Sequence, residues 1–126
     1  MESSYVAEQV LEAVNTERAV DLTQKVCRVP SILGNEGELA ELLAGVMRES
    51  DFSEVELQPV LPDRPNAIGE ISFGDGPRVV MTGHMDTKPV SIGWSLAEPF
   101  SGDLIDGRVY GHGIMDMKAA RRSSYS

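Results

Sequence analysis

The sequence predicts an open α/β fold, and three observations carry that prediction. Residues 5–48 repeat apolar side chains at helical spacing; beyond Ser50 the pattern becomes alternation broken by Pro and Gly; and Val79-Val80-Met81-Thr82 is a short uninterrupted apolar run. Such a run is typical of a central strand covered on both faces, as in an α/β sheet.

Val6, Val10, Ala13 and Val14 share one helical face, and Ala19, Val20, Thr23, Val26 and Cys27 form the stripe of a second helix, which Pro30 ends. Gly34-Asn35-Glu36 is a loop, and Asn35 with Glu38 three residues on has the form of a capping box. Leu39, Leu42, Leu43, Val46 and Met47 then mark the clearest helix of the chain. After Ser50, Val55 and Leu57 alternate with Glu54, Glu56 and Gln58, the pattern of a half-exposed strand. Pro62, Pro65 and Gly74-Asp75-Gly76-Pro77 punctuate the next stretch, with a strand expected over roughly Asn66 to Phe73. Asp106-Gly107, between Leu104-Ile105 and Val109-Tyr110, predicts a hairpin with a two-residue turn.

With 126 residues, 41% hydrophobic and 25% charged, the chain has the composition of one globular domain. A domain of that size buries roughly two-thirds of its unfolded surface. Twenty acidic against 11 basic residues give a net charge of −9, which argues against nucleic acid or an anionic membrane as partner, since phosphate binding needs clustered cations. Cys27 is the only cysteine and lies among apolar residues, so a buried structural thiol is expected and an internal disulfide is excluded. The N-terminus has Glu2 and Glu8 and no basic start before an apolar run, so no signal peptide is expected, and the expected location is the cytoplasm.

Chemistry concentrates in Met81-Thr-Gly-His84-Met-Asp86-Thr-Lys-Pro-Val90. Side chains two apart on an extended backbone point the same way, so His84 and Asp86 can meet at one place, just past the end of the apolar run. A neutral imidazole is a good zinc ligand, and a carboxylate on its other ring nitrogen fixes its tautomer. The same three residues also suit a surface hydrogen bond. Further on stands Tyr110-Gly-His-Gly-Ile-Met-Asp116-Met-Lys118, where glycines flank His112 and allow a tight turn. Asp116 has two compatible roles: the N-cap of a helix starting at Met117, or a fixed carboxylate able to span two cations.

Taken together, GHMDTKPV, Trp94, Pro99-Phe100 and DGRVYGHGIMDMKAA closely resemble the M20 family of metallopeptidases and deacylases, over about Asn15 to Ala120. Val29-Pro30-Ser31, Gly34-Asn35-Glu36 and Pro65-Asn66 agree with that resemblance. It implies the N-terminal part of a three-layer α/β/α zinc-peptidase-like catalytic domain with an open mixed sheet, here residues 1–120, followed by a divergent polar tail at 121–126. It implies His84 as a zinc ligand, Asp86 as the catalytic residue that orients it, and Asp116 as the bridge between two zinc ions, with cobalt or manganese as possible replacements. The implied reaction is hydrolysis of an N-acyl or peptide-like amide on a small substrate, such as an N-acyl amino acid or peptide. Trp94 and Phe100 are expected to pack their loop. The TIM-barrel amidohydrolases, which also use paired metals, resemble the chain poorly, since it lacks their early His-x-His pair.

Two positions depart from the family pattern: His112, where Arg is common and loop packing is the expected role, and Lys88, where an apolar residue is common. The pattern also continues beyond Asp-Met-Lys with a Glu-Glu pair, general base and zinc ligand, and later ligands after a smaller domain. This chain has no Glu after Glu98 and no His besides His84 and His112. A zinc site wants three protein ligands and an open position. The expectation is a chain truncated by a stop, frameshift or artificial boundary, inactive alone and without the dimerisation region. A non-catalytic segment that binds a partner or metal is the alternative.

Overall fold

The structure is a computed structural model and describes residues 2–119. The assigned tail, 121–126, lies outside the described residues. Three helices come first: α1 (Glu2–Ala13), α2 (Thr16–Arg28) and α3 (Gly37–Arg48). Two antiparallel hairpins come after them, β1 (Glu54–Leu61) with β2 (Arg64–Glu70), and β3 (Asp103–Ile105) with β4 (Arg108–Tyr110). Among the described residues no helix is long and apolar enough to cross a membrane.

The predicted stripes of α2 and α3 are the faces that pack. Ala19, Thr23, Val26 and Cys27 of α2 are buried, as are Leu39, Leu43 and Met47 of α3. Val26, Leu39 and Leu43 form the centre of the core, with Leu22, Val29, Leu42, Ala67 and Met85 against them. The α2 start is capped by Asn15, whose side chain accepts from the Arg18 amide at 2.9 Å. By contrast Val6 and Val10 of α1 are exposed, so the apolar face of that helix has no cover among the described residues.

The capping box expected from Asn35 does not form. The residue before α3 is Glu36, and its side chain makes no cap hydrogen bond. The Glu36 carboxylate instead receives the Gly34 amide and both arms of the Arg64 guanidinium, at 2.9 and 3.0 Å. This pair fastens the β1–β2 hairpin to the α3 start, where Gly37 lies so close that a Cβ would stand 3.1 Å from the Asp63 carbonyl oxygen.

The β1–β2 hairpin pairs Glu54 with Glu70 through to Leu61 with Arg64, with a register shift between Pro59 and Leu61. Val55 and Leu57 are half-buried and their neighbours exposed, as the alternation predicts. Pro65 lies inside β2, opposite Pro59, and not at its boundary. A two-stranded sheet has only edges, and edge strands tolerate proline's missing N–H. At Gly69 an added Cβ would meet the Met47 sulfur at 2.5 Å and the Phe52 ring at 2.7 Å. Gly69→Ala is therefore expected to cost about 1–3 kcal/mol by overpacking, measured by urea unfolding. An unchanged midpoint would show that the two side chains move aside freely.

The β3–β4 hairpin closes through Asp106 and Gly107, with φ of 48° and 75°, the two left-handed residues a tight hairpin turn requires. Helices plus small antiparallel sheets are compatible with the α/β class. The central strand expected at Val79–Thr82 is not present: these residues belong to no sheet, and Val79 and Val80 are 81% and 87% exposed. A strand exists only through its neighbours, and among the described residues no strand pairs with this segment.

Candidate metal centre

Pairing begins just past that segment. Thr87 donates its amide to the Ser31 carbonyl at 2.8 Å, Leu33 donates to the Thr87 carbonyl at 3.0 Å, and the Ser31 hydroxyl donates to the Met85 carbonyl at 2.6 Å. Met85 thereby faces the core, and the alternation turns His84 and Asp86 to the other side. The His84 ring nitrogen Nδ1 lies 3.3 Å from Asp86 Oδ1 and 3.0 Å from the Asp86 carbonyl oxygen. Its other nitrogen, Nε2, lies 3.0 Å from Asp116 Oδ1. The structure thus brings all three residues singled out in the sequence to one place, 32 positions apart in the chain at the widest.

Asp116 arrives by a different route from the one expected. The helix predicted from Met117 does not open there, because Asp116 (φ −138°, ψ 90°) and Met117 (φ −132°, ψ 35°) have non-helical backbone inside an irregular turn, Ile114–Lys118. The N-cap reading fails over the described residues; the remainder of the predicted helix, from residue 120, lies outside them. Gly113, at φ 75°, makes the turn. Gly111 serves differently: a Cβ there would stand 2.7 Å from the Cys27 sulfur, so it is close packing that requires glycine. The Met117 sulfur accepts from the His84 amide at 3.4 Å. Sequence reasoning missed Lys118, which is 2% exposed; an ordinary lysine beside a turn gives no signal of burial.

His112 stays in its own loop. Its Nε2 donates to the Lys88 carbonyl at 2.7 Å, and the Trp94 and Phe100 rings meet it edge-on at 6.4 and 5.7 Å. All three side chains do what the packing reading expects. Cys27 is fully buried. Burial pushes its thiol up, with Lys118 and Arg28 offsetting part of that, so it stays protonated and inert at neutral pH. Ellman's reagent is expected to leave the native chain untouched and to label it once after denaturation; rapid native labelling would contradict the packing.

Imidazole nitrogen and carboxylate oxygen are the donors zinc takes, so the residue types fit that ion. The number does not yet reach a closed set. Among the described residues no group of three or more His, Cys, Asp or Glu converges to hold a metal. His84 Nε2 and Asp116 face one another as two donors, and Asp86 occupies the remaining ring nitrogen.

No family model matches the chain. Curated relatives do. The succinyl-diaminopimelate desuccinylase of Methylobacterium radiotolerans is 33% identical over 81% of this chain and 26% of its own length. That of Methylorubrum populi is 38% identical over 77% of this chain and 26% of its own. A probable carboxypeptidase of Paracoccidioides lutzii is 31% identical over 90% of this chain and 27% of its own. The class these relatives define, deacylases and peptidases, is one of hydrolases. The chain belongs to the M20 family of metallopeptidases and deacylases, and spans about a quarter of the length of the curated relatives it matches.

Proposed function

We propose that this chain carries the first part of the metal site of a cytoplasmic hydrolase that cleaves N-acyl or peptide-like amide bonds of small substrates. The observation that supports this is the His84 ring with a carboxylate at each nitrogen. A neutral imidazole has one N–H and can donate to only one of them. The other contact sets a lone pair against an anion unless the ring takes up a second proton or a cation stands there.

In this reading Asp86 accepts the Nδ1 proton and holds the ring, leaving the Nε2 lone pair for the ion. His84 and Asp116 would hold it, and Asp116, 74% exposed at its side chain, would present its second oxygen to another. When bound, zinc, or cobalt or manganese in its place, supplies an acidified water and a polarised carbonyl. The chain by itself gives no turnover, because two donors do not complete a zinc site and no Glu beyond Glu98 stands ready as general base.

A titration with Co2+, monitored by its visible absorption, tests the assignment. Binding is expected to be weakened in both His84→Ala and Asp116→Ala, with no hydrolysis of N-acyl amino acids at any Co2+ or Zn2+ concentration. Binding that survives His84→Ala would sink the ligand assignment, and turnover by the wild-type chain would sink the predicted inactivity. A second reading, a non-catalytic binding segment, is favoured by the exposure of Val79, Val80 and Met81. If that segment binds a partner and not a metal, it predicts no response to Co2+ at all.

A further inference from the structure

The end of α2 has an unmet need that begins with Pro30. In a continuing helix the Val26 carbonyl would accept from the amide of residue 30, and proline has none. Val29, held extended before the proline (φ −99°, ψ 108°), leaves its own carbonyl outside the helix. Both acceptors are taken by one side chain from far along the chain. Lys118 Nζ donates to the Val26 carbonyl at 3.0 Å and to the Val29 carbonyl at 2.7 Å. The ammonium also sits where the helix dipole favours a cation.

The residues immediately after Pro30 hold the other half of the candidate site. Ser31 and Leu33 grip Met85 and Thr87 through three hydrogen bonds, and so fix the stretch that carries His84 and Asp86. Lys118 stands two residues after Asp116 and is tied back to Gly113 by its amide at 3.0 Å. One short stretch, Val26–Leu33, therefore anchors both sides of the His84–Asp116 pair.

We propose that Lys118 is a positioning residue: by capping the proline-terminated end of α2 it fixes Asp116 at the distance from His84 that the metal site needs. Only its metal readout rests on the function proposed for the site. Burying an ammonium is costly unless hydrogen bonds compensate, and here two carbonyls do so. If Lys118 served α2 alone, its loss would disturb the helix and leave the His84 ring as it is.

The test monitors the histidine ring nitrogens by NMR in the metal-free full chain at fixed pH. Wild type, Lys118→Met, Lys118→Arg and Asp116→Ala are compared, with circular dichroism reporting the helices. Lys118→Met is expected to move the His84 signals towards those of Asp116→Ala, to leave the His112 signals in place, and to weaken Co2+ binding by about 10- to 100-fold, as loss of a partner behind a ligand typically does. Lys118→Arg, which keeps a cation with several donors, is expected to restore most of both. If Lys118→Met does not fold, Lys118→Gln decides instead, since its amide reaches one carbonyl and predicts a smaller shift in the same direction. Wild-type His84 signals in a folded Lys118→Met or Lys118→Gln chain would overturn the proposal. A wild-type chain that binds no Co2+ would count against the metal site, while the ring signals would still decide the role of Lys118.

Discussion

Arg64→Met is expected to lower the stability of the folded chain by about 2–3 kcal/mol. Removing one partner of a buried ion pair commonly costs about 3–5 kcal/mol, because the other charge is left in place without its partner. Here the Glu36 side chain is only 6% exposed while that of Arg64 is 37% exposed, so water screens part of the loss and the lower figure applies. The geometry is a two-armed fork, the strongest form of this contact. What it joins matters as much as its strength: the hairpin turn on one side and the first turn of α3 on the other. Chemical denaturation measures the cost, and Glu36→Gln with Arg64→Met should lose less than the two single variants together.

The same pair makes a pH prediction. Burial pushes the Glu36 carboxyl up, but the Arg64 guanidinium and the amides of Gly34 and Glu36 outweigh it and leave it below the ordinary carboxylate range. A carboxyl lowered by folding stabilises the folded state fully above its unfolded range, and that contribution is lost as pH falls through the folded value. The gap between wild type and Arg64→Met should therefore be full at neutral pH and narrow in acid. A gap that stays constant down to about pH 3, below the ordinary carboxylate range, would show that the charge on Glu36 is not what Arg64 serves.

Local pattern made much of this fold legible. Helices α2 and α3 need only the spacing of their own apolar residues, and the β3–β4 turn only Asp106-Gly107, whose left-handed backbone those residues tolerate. The cap of α3 was not legible, because Glu36 is claimed by Arg64, 28 positions away. Nor was the fate of Val79–Thr82, since an apolar run becomes a strand only where another strand meets it. In the candidate site, the meeting of His84 and Asp86 comes from alternation alone, whereas the bridging role of Asp116 was implied by resemblance, and it reaches His84 through a turn that no periodicity describes. Lys118 was beyond reach: its bond to Val26 spans 92 positions, and it answers a missing donor on a different helix.

The largest expected effect belongs to His84 in the setting of a whole hydrolase. Residues 15–119 of this chain, placed in the corresponding stretch of the Methylobacterium radiotolerans desuccinylase, should give a protein that hydrolyses succinyl-diaminopimelate. Loss of a partner behind a metal ligand usually costs about 10- to 100-fold, so Asp86→Ala should fall in that range. His84→Ala and Asp116→Ala remove proposed donors outright and should fall well below it, with kcat lost more than KM changes. The one measurement to make is therefore the turnover of that chimaera beside its His84→Ala variant. Activity that His84→Ala abolishes is the result predicted; equal activity in the two, or none from a folded chimaera, would contradict the assignment of this chain to a metal-dependent hydrolase site.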